Sequence, residues 1–277
     1  MPILSNKSVF QLPITPGYKA SLMDLATEPS HRISSNKLII GWEADPDEVR
    51  RYVPEPLEID PAGLCYLIAG DSWVYTDRNQ TEFVSESRVQ FAETYFWIPC
   101  DYEGERYHFV PYSWCDRDWL TYIGRSRSGM PHKMGKVELT RFHAMDPVYY
   151  GPHEGVRMTT SVETHGLVLR ASVDLREEVT AADLPFEIGD DNCPKWLCHR
   201  RVYDVVEDRP AFDDLVVHWG DNMKLGPIWS GDASLQFFDV ENEDVMPFQP
   251  NRVVGGWYLS WHFDHSKSGR YTLHSFI

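Results

Sequence analysis

The sequence predicts a mainly β, α+β fold, in which a closed or nearly closed antiparallel sheet carries a few flanking helices. Three observations lead there. Strict alternation of apolar and polar residues recurs, and a period of two marks strands with one buried face. Only two segments start as helices start. Many strands with few helices must hide their edges, which closure of the sheet does.

The elements follow in order. Residues 1–30 carry Pro13, Pro16, Gly17 and Pro29 among polar residues and read as an irregular arm, placed to pack on a neighbouring subunit. From residue 31 to 277 there is no internal repeat, low-complexity segment or long linker, so a single domain is expected. Asp45 to Tyr52 opens as a helix: Asp45 caps it, Pro46 suits the first turn, and the acids Asp47 and Glu48 sit where the helix dipole favours them. Gly63–Tyr75, Gln90–Cys100, Glu105–Trp114 and Ala233–Val240 are strand candidates. Asp116 to Arg125 is the second helix, with Asp116 as cap and Trp119, Leu120 and Ile123 at helical spacing. Leu167, Leu169, Ala171, Val173 and Leu175 share one face of a strand, opposite Arg170, Ser172, Asp174 and Arg176. Thr180 to Asp183 is a capped turn limited by Pro185. Trp257, Leu259, Trp261 and Phe263 alternate with Tyr258, Ser260 and His262 in a last strand.

Composition excludes several function classes. The formal charge of −16 argues against nucleic acid and anionic membrane surfaces, both of which need a basic face. No apolar run reaches the roughly 18 residues that a membrane helix needs. The N-terminus lacks the basic and apolar regions of a signal peptide. Five cysteines, odd in number and without a CxxC pair, fit a reducing cytoplasm. Cys193-x4-Cys198-His199, His262-x2-His265 and His153-Glu154 are too loosely spaced for a metal site, so none is expected. GxGxxG, P-loop and GxSxG patterns are missing, and no cofactor is expected.

The segment Gly129-Met130-Pro131-His132-Lys133-Met134-Gly135 reads as a restricted loop. A lysine buried there loses hydration and its pKa falls, and a neutral amine can attack a ketone to form a Schiff base. The alternative is a surface turn whose lysine faces water. His132 and Lys133 are neighbours, so in an extended segment they point to opposite sides. Either Lys133 is the imine-forming amine with His132 behind it, or His132 serves as acid/base with no covalent step. Val89, Phe91, Glu93, Tyr95 and Trp97 share one strand face. A carboxylate in such a row must be paired, protonated or solvated, and burial suits Glu93 to proton transfer. Arg125 and Arg127 flank the loop with planar forks suited to a substrate carboxylate or a structural ion pair. Gln236, on a strand, suits a buried hydrogen bond or a substrate contact. The ten tryptophans belong to core and interface, with several available to line an aromatic pocket.

Four blocks resemble the acetoacetate decarboxylase superfamily, in family order from about Ser34 to about Phe263. They are Val53-Pro54-Glu55-Pro56-Leu57-Glu58-Ile59-Asp60, Phe91-Ala92-Glu93, Gly124-Arg125 with Met130-Pro131-His132-Lys133-Met134-Gly135, and Trp229 to Phe238. The resemblance implies an acetoacetate decarboxylase-like β-cone or barrel with flanking helices, a buried central pocket and a homo-oligomer. It departs from the family at the chemistry. The first of two motif lysines, the family nucleophile, is His132 here. The family's early arginine falls near Ser35, with Arg32 close by, and its second glutamate near Leu67. The reading is a cofactor-independent lyase acting on a small or medium oxo acid or ketone through a Lys133 Schiff base, of decarboxylase or aldolase/dehydratase type. Glu93 and His132 move protons, and Arg125, Arg127 and Gln236 are candidate substrate-binding residues. The alternatives are a non-covalent hydratase, isomerase or cyclase run by His132 and Glu93, and a non-catalytic small-molecule binding protein.

Overall fold

The computed structural model describes residues 31–75, 90–190, 192–265 and 270–277. The predicted arm, and Val89 at the head of the Glu93 row, lie outside the described residues. The strands are β1 (His31–Glu43), β2 (Glu58–Ile59), β3 (Leu64–Tyr75), β4 (Gln90–Tyr102), β5 (Glu105–Phe109), β6 (Ser113–Cys115), β7 (His132–Met134) and β8 (Lys136–Leu139). They continue as β9 (Arg157–Glu163), β10 (Leu167–Val179), β11 (Trp196–Asp204), β12 (Arg209–His218), β13 (Asp221–Phe237), β14 (Arg252–His265) and β15 (Arg270–Ser275). Among the described residues there are two short α-helices, α1 (Pro46–Arg50) and α2 (Asp118–Ile123), a π-helical turn, Gly124–Ser128, that follows α2, and 3-10 turns at Ala181–Asp183 and Met246–Phe248.

The strands form one sheet in the order β15-β12-β11-β5-β4-β3-β1-β14-β13-β10-β9-β8, with β2, β6 and β7 paired off that path. The fold is mainly β, as the alternation predicts. Among the described residues β15 and β8 do not hydrogen-bond to each other. Instead β8 folds back close to β3, β4 and β6. Along β1 the alternation sorts residues onto two buried faces. Leu38, Ile40 and Trp42 enter one apolar core with Leu67, Phe96 and Phe248. Ile39 enters another with Tyr66, Tyr95, Trp97 and Trp261. The Trp42 indole N–H donates to the Phe248 carbonyl at 2.9 Å, so even this deep ring has its polar atom satisfied.

Asp45 caps α1 as expected, its side chain accepting from the Asp47 amide at 3.0 Å. Thr180 and Asp183 form the reciprocal capping box expected there. The second helix departs from expectation. Its cap position is Arg117, because the Asp116 carboxylate is taken by the Ala92 amide of β4 at 2.9 Å. The segment read as a loop at 129–135 contains β7, which pairs in parallel with β6. Gly129, at φ +72, makes the turn into it from the π-helical segment.

Candidate active site

A cavity of about 140 Å³ opens between β1, β3, β4, β14, α2 and β11–β13, with mostly apolar and aromatic walls. Phe91, Glu93, Tyr95 and Trp97 all line it, which is the strand face the alternation predicts for them. Its polar end is built by three adjacent strands. Lys37 of β1 pairs with Gly70 of β3, and Gly70 pairs with Glu93 of β4. The Lys37 side chain, 2% exposed, crosses the intervening strand and donates to Glu93 Oε1 at 2.9 Å. It also reaches Ser72 Oγ at 3.4 Å and lies 5.3 and 5.2 Å from the ring centres of Tyr95 and Trp261. Such an amine gains from Glu93 and from the two ring faces part of what it loses in hydration.

Position 70 makes this crossing possible. A Cβ added at Gly70 would sit 2.4 Å from Lys37 Nζ and 2.6 Å from its Cδ. A second glycine serves the histidine: a Cβ at Gly124 would meet His132 Cδ2 at 2.2 Å.

His132 is buried in the cavity wall, and its Nδ1 lies 2.6 Å from Ser113 Oγ on the partner strand. Burial pushes its pKa down to about 4; the Glu93 carboxylate opposes this and Arg125 adds to it. At neutral pH the ring is therefore uncharged, with one nitrogen that donates a hydrogen bond and one that can accept a hydrogen bond or a proton. Tyr95 lies well above its ordinary pKa through burial, then through the Glu93 charge, and stays a neutral phenol. Cys193 also lines the cavity, and burial pushes its thiol up to about 12, so it carries no thiolate.

Lys133 points the other way. It lies on a strand, so it leaves the sheet on the face opposite His132, as extended geometry requires. Its side chain is 36% exposed and its Nζ donates to Glu243 Oε2 and the Asn242 carbonyl, both at 3.0 Å. Trp114 Nε1 donates to the same Glu243 oxygen at 3.2 Å. The structure thus places the Lys133 amine outside the cavity, where it ties the 242–243 turn to the sheet; the expectation of a buried amine at this position is corrected. Arg125 is exposed and does not line the cavity, and the side chain of Arg127 lies outside the described residues. Gln236 is not in the cavity either. It accepts from Arg170 Nε and Nη2 at 3.0 and 2.7 Å in a separate polar groove on β8–β10 and β13. Leu67, at the place of the family's second glutamate, is buried on the far face. No three metal-ligating side chains converge among the described residues.

Sequence reasoning missed Lys37. The signal was present: β1 alternates, so Ile33, Ser35 and Lys37 share the cavity face. Ser35, where the family's arginine falls, is two residues from the lysine.

A family profile described as acetoacetate decarboxylase (ADC) matches residues 11–271. The chain belongs to the acetoacetate decarboxylase family. Solved structures agree in fold. An acetoacetate decarboxylase-like enzyme from Sphingomonas wittichii RW1 superposes with a TM-score of 0.82 at 22% identity, covering 91% of this chain and 95% of that one. The enduracididine biosynthesis enzyme MppR, complexed with the condensation product of pyruvate and imidazole 4-carboxaldehyde, gives a TM-score of 0.76 at 23% identity over 91% and 92% of the two chains. The acetoacetate decarboxylase of Legionella pneumophila gives 0.72 at 14% identity over 90% and 88%. No curated protein sequence matches significantly. At these identities the structural likeness establishes the acetoacetate decarboxylase fold and leaves the chemistry to the residues of this cavity.

Proposed function

We propose that this acetoacetate decarboxylase-family protein is a cofactor-independent lyase acting on an oxo acid or ketone through an imine formed at Lys37. One observation carries the reading: the Lys37 amine is buried in an aromatic cavity, 2.9 Å from a carboxylate that can take its proton. Glu93 accepts a proton from the Lys37 ammonium as substrate enters. The neutral amine adds to the carbonyl carbon, and one of its N–H protons passes to the carbonyl oxygen, which becomes the hydroxyl of a carbinolamine. Glu93 returns its proton to that hydroxyl, which leaves as water, and the nitrogen lone pair closes the C=N bond. The resulting iminium draws electrons from the neighbouring carbon, the common requirement of decarboxylation, aldol cleavage and dehydration. His132, uncharged near neutral pH and lining the same cavity as Lys37 and Glu93, serves as the base toward that carbon.

The test is reductive trapping. Protein incubated with pyruvate and sodium cyanoborohydride should gain one reduced pyruvyl adduct, mapped by peptide mass spectrometry to Lys37. An adduct at Lys133, or none, would overturn the imine at Lys37.

The Lys37–Glu93 ion pair favours a second reading. Kept as an ammonium, Lys37 would polarise the substrate oxygen, with Glu93 and His132 transferring protons in a non-covalent reaction. Turnover of a substrate with no trappable adduct would select it.

A further inference from the structure

The cavity is much longer than a three-carbon substrate. On β14 the partner of Lys37 is Leu259, and the cavity-lining residues Trp261, Phe263 and His265 follow along the same strand. On β1 the lining residues Ser35 and Ile33 run beside them, paired with Trp261 and Phe263. From the Lys37 row to the His265 row is six residues of strand, 259 to 265, or about 20 Å at ~3.3 Å per residue. Polarity changes along this line. The first rows hold Lys37, Glu93, Ser35 and Ser72, and the two hydroxyls are 2.7 Å apart. Phe91 and Trp261 stand beside the serines, with Trp119 edge-on to Phe91 at 6.1 Å, and the middle rows beyond them are wholly apolar: Ile33, Val74 and Phe263. The far wall is Trp196 with the buried His218 and His265, whose rings lie 5.9 and 5.7 Å from the indole. The carbon skeleton of pyruvate, two bonds of about 1.5 Å, occupies only the first rows.

We infer that the substrate is an elongated carbonyl compound, whose reacting carbon sits at Lys37 and whose ring-sized apolar body lies over the Ile33–Phe263 rows toward Trp196. This rests on the imine reading only for which end of the molecule reacts. An apolar body there removes apolar surface of ligand and wall from water together. A three-carbon acid leaves that gain unused.

The experiment compares two ligands with the same head, pyruvate and 4-phenyl-2-oxobutanoate, by quenching of intrinsic tryptophan fluorescence and by cyanoborohydride trapping. The phenyl compound should bind about 10- to 100-fold more tightly, the gain expected for burying one such ring. Ile33→Trp, which fills the middle rows, should lower that ratio toward one; Val74→Phe gives the same readout if the first variant does not fold. Equal or tighter binding of pyruvate by the wild-type chain would overturn the inference. Failure of trapping at Lys37 with fluorescence selectivity intact would instead remove the imine reading and leave the elongated substrate standing. Trapping with no selectivity would do the reverse.

Discussion

Lys37 and Glu93 stand two strands apart and touch because the residue between them, Gly70, has no side chain. The pairing of a buried amine with a carboxylate is therefore a property of three positions. The third is detectable only by what a methyl group there would strike.

Gly70→Ala follows directly. The added carbon would collide with Lys37 along its Cδ–Nζ stem. The lysine must swing aside, and a misplacement on the order of 1 Å at a reacting group costs roughly 100-fold in rate. Trapping of pyruvate at residue 37 should fall by about that factor while the circular dichroism spectrum is unchanged. Wild-type trapping kinetics in the variant would show that the crossing does not matter.

The ion pair should behave as a unit in stability measurements. Lys37→Met leaves the largely buried Glu93 without its cation, and Glu93→Gln leaves the ammonium without its counter-charge. Each single change should cost about 3 kcal/mol in urea unfolding, whereas replacing both partners together with apolar residues should cost much less. Additive losses in the double variant would contradict the coupling.

The low pKa of His132 sets an acid sensitivity with a definite sign. Its folded value, about 4, lies below the ordinary 6.5, so the unfolded chain binds the proton more readily. The stability tied to a neutral ring is fully present above pH 6.5 and is lost as pH falls from 6.5 to 4. It amounts to ~3 kcal/mol at most. His108, buried and pushed down to about 3, adds to the same slope. Unfolding free energies from pH 7 to 4.5 should be measurably flatter in His132→Asn than in wild type. A pH–rate profile should also show no inflection near 6.5 from His132.

Lys133→Met should separate the neighbours. The variant loses the ion pair to the buried Glu243 and one bond to the 242–243 turn, but Trp114 Nε1 still donates to that carboxylate and the lysine is partly exposed, so the cost should be about 1–2 kcal/mol. Thermal denaturation should register that small loss, with trapping at Lys37 retained. Abolished trapping would return the chemistry to Lys133.

The sheet was legible because its signals are local. Alternation alone put Phe91, Glu93, Tyr95 and Trp97 on one face, and the structure finds all four lining the cavity. Asp45 and Thr180 were readable as caps because a cap is a short-range hydrogen bond. Asp116 has the local signature of a cap, but its partner, the Ala92 amide, comes from another strand. The segment at 129–135 resembles a loop in sequence because its proline and glycines mask a three-residue strand whose pairing partner is β6. Lys37 escaped notice beside the apolar run Leu38-Ile39-Ile40, where a lysine looks like the solvent-facing end of a strand. Its partner lies 56 residues away, and only the β1–β3–β4 register brings the two together.

The cavity wall is gathered from residues as far apart as Ile33 and His265, nearly the whole described length of the chain. Versions cut within the span from Ile33 to His265 should thus be wholly inert rather than weakly active, since no such piece holds both the amine and a finished wall. New specificities would have to arise by exchanging side chains in place, not by swapping modules.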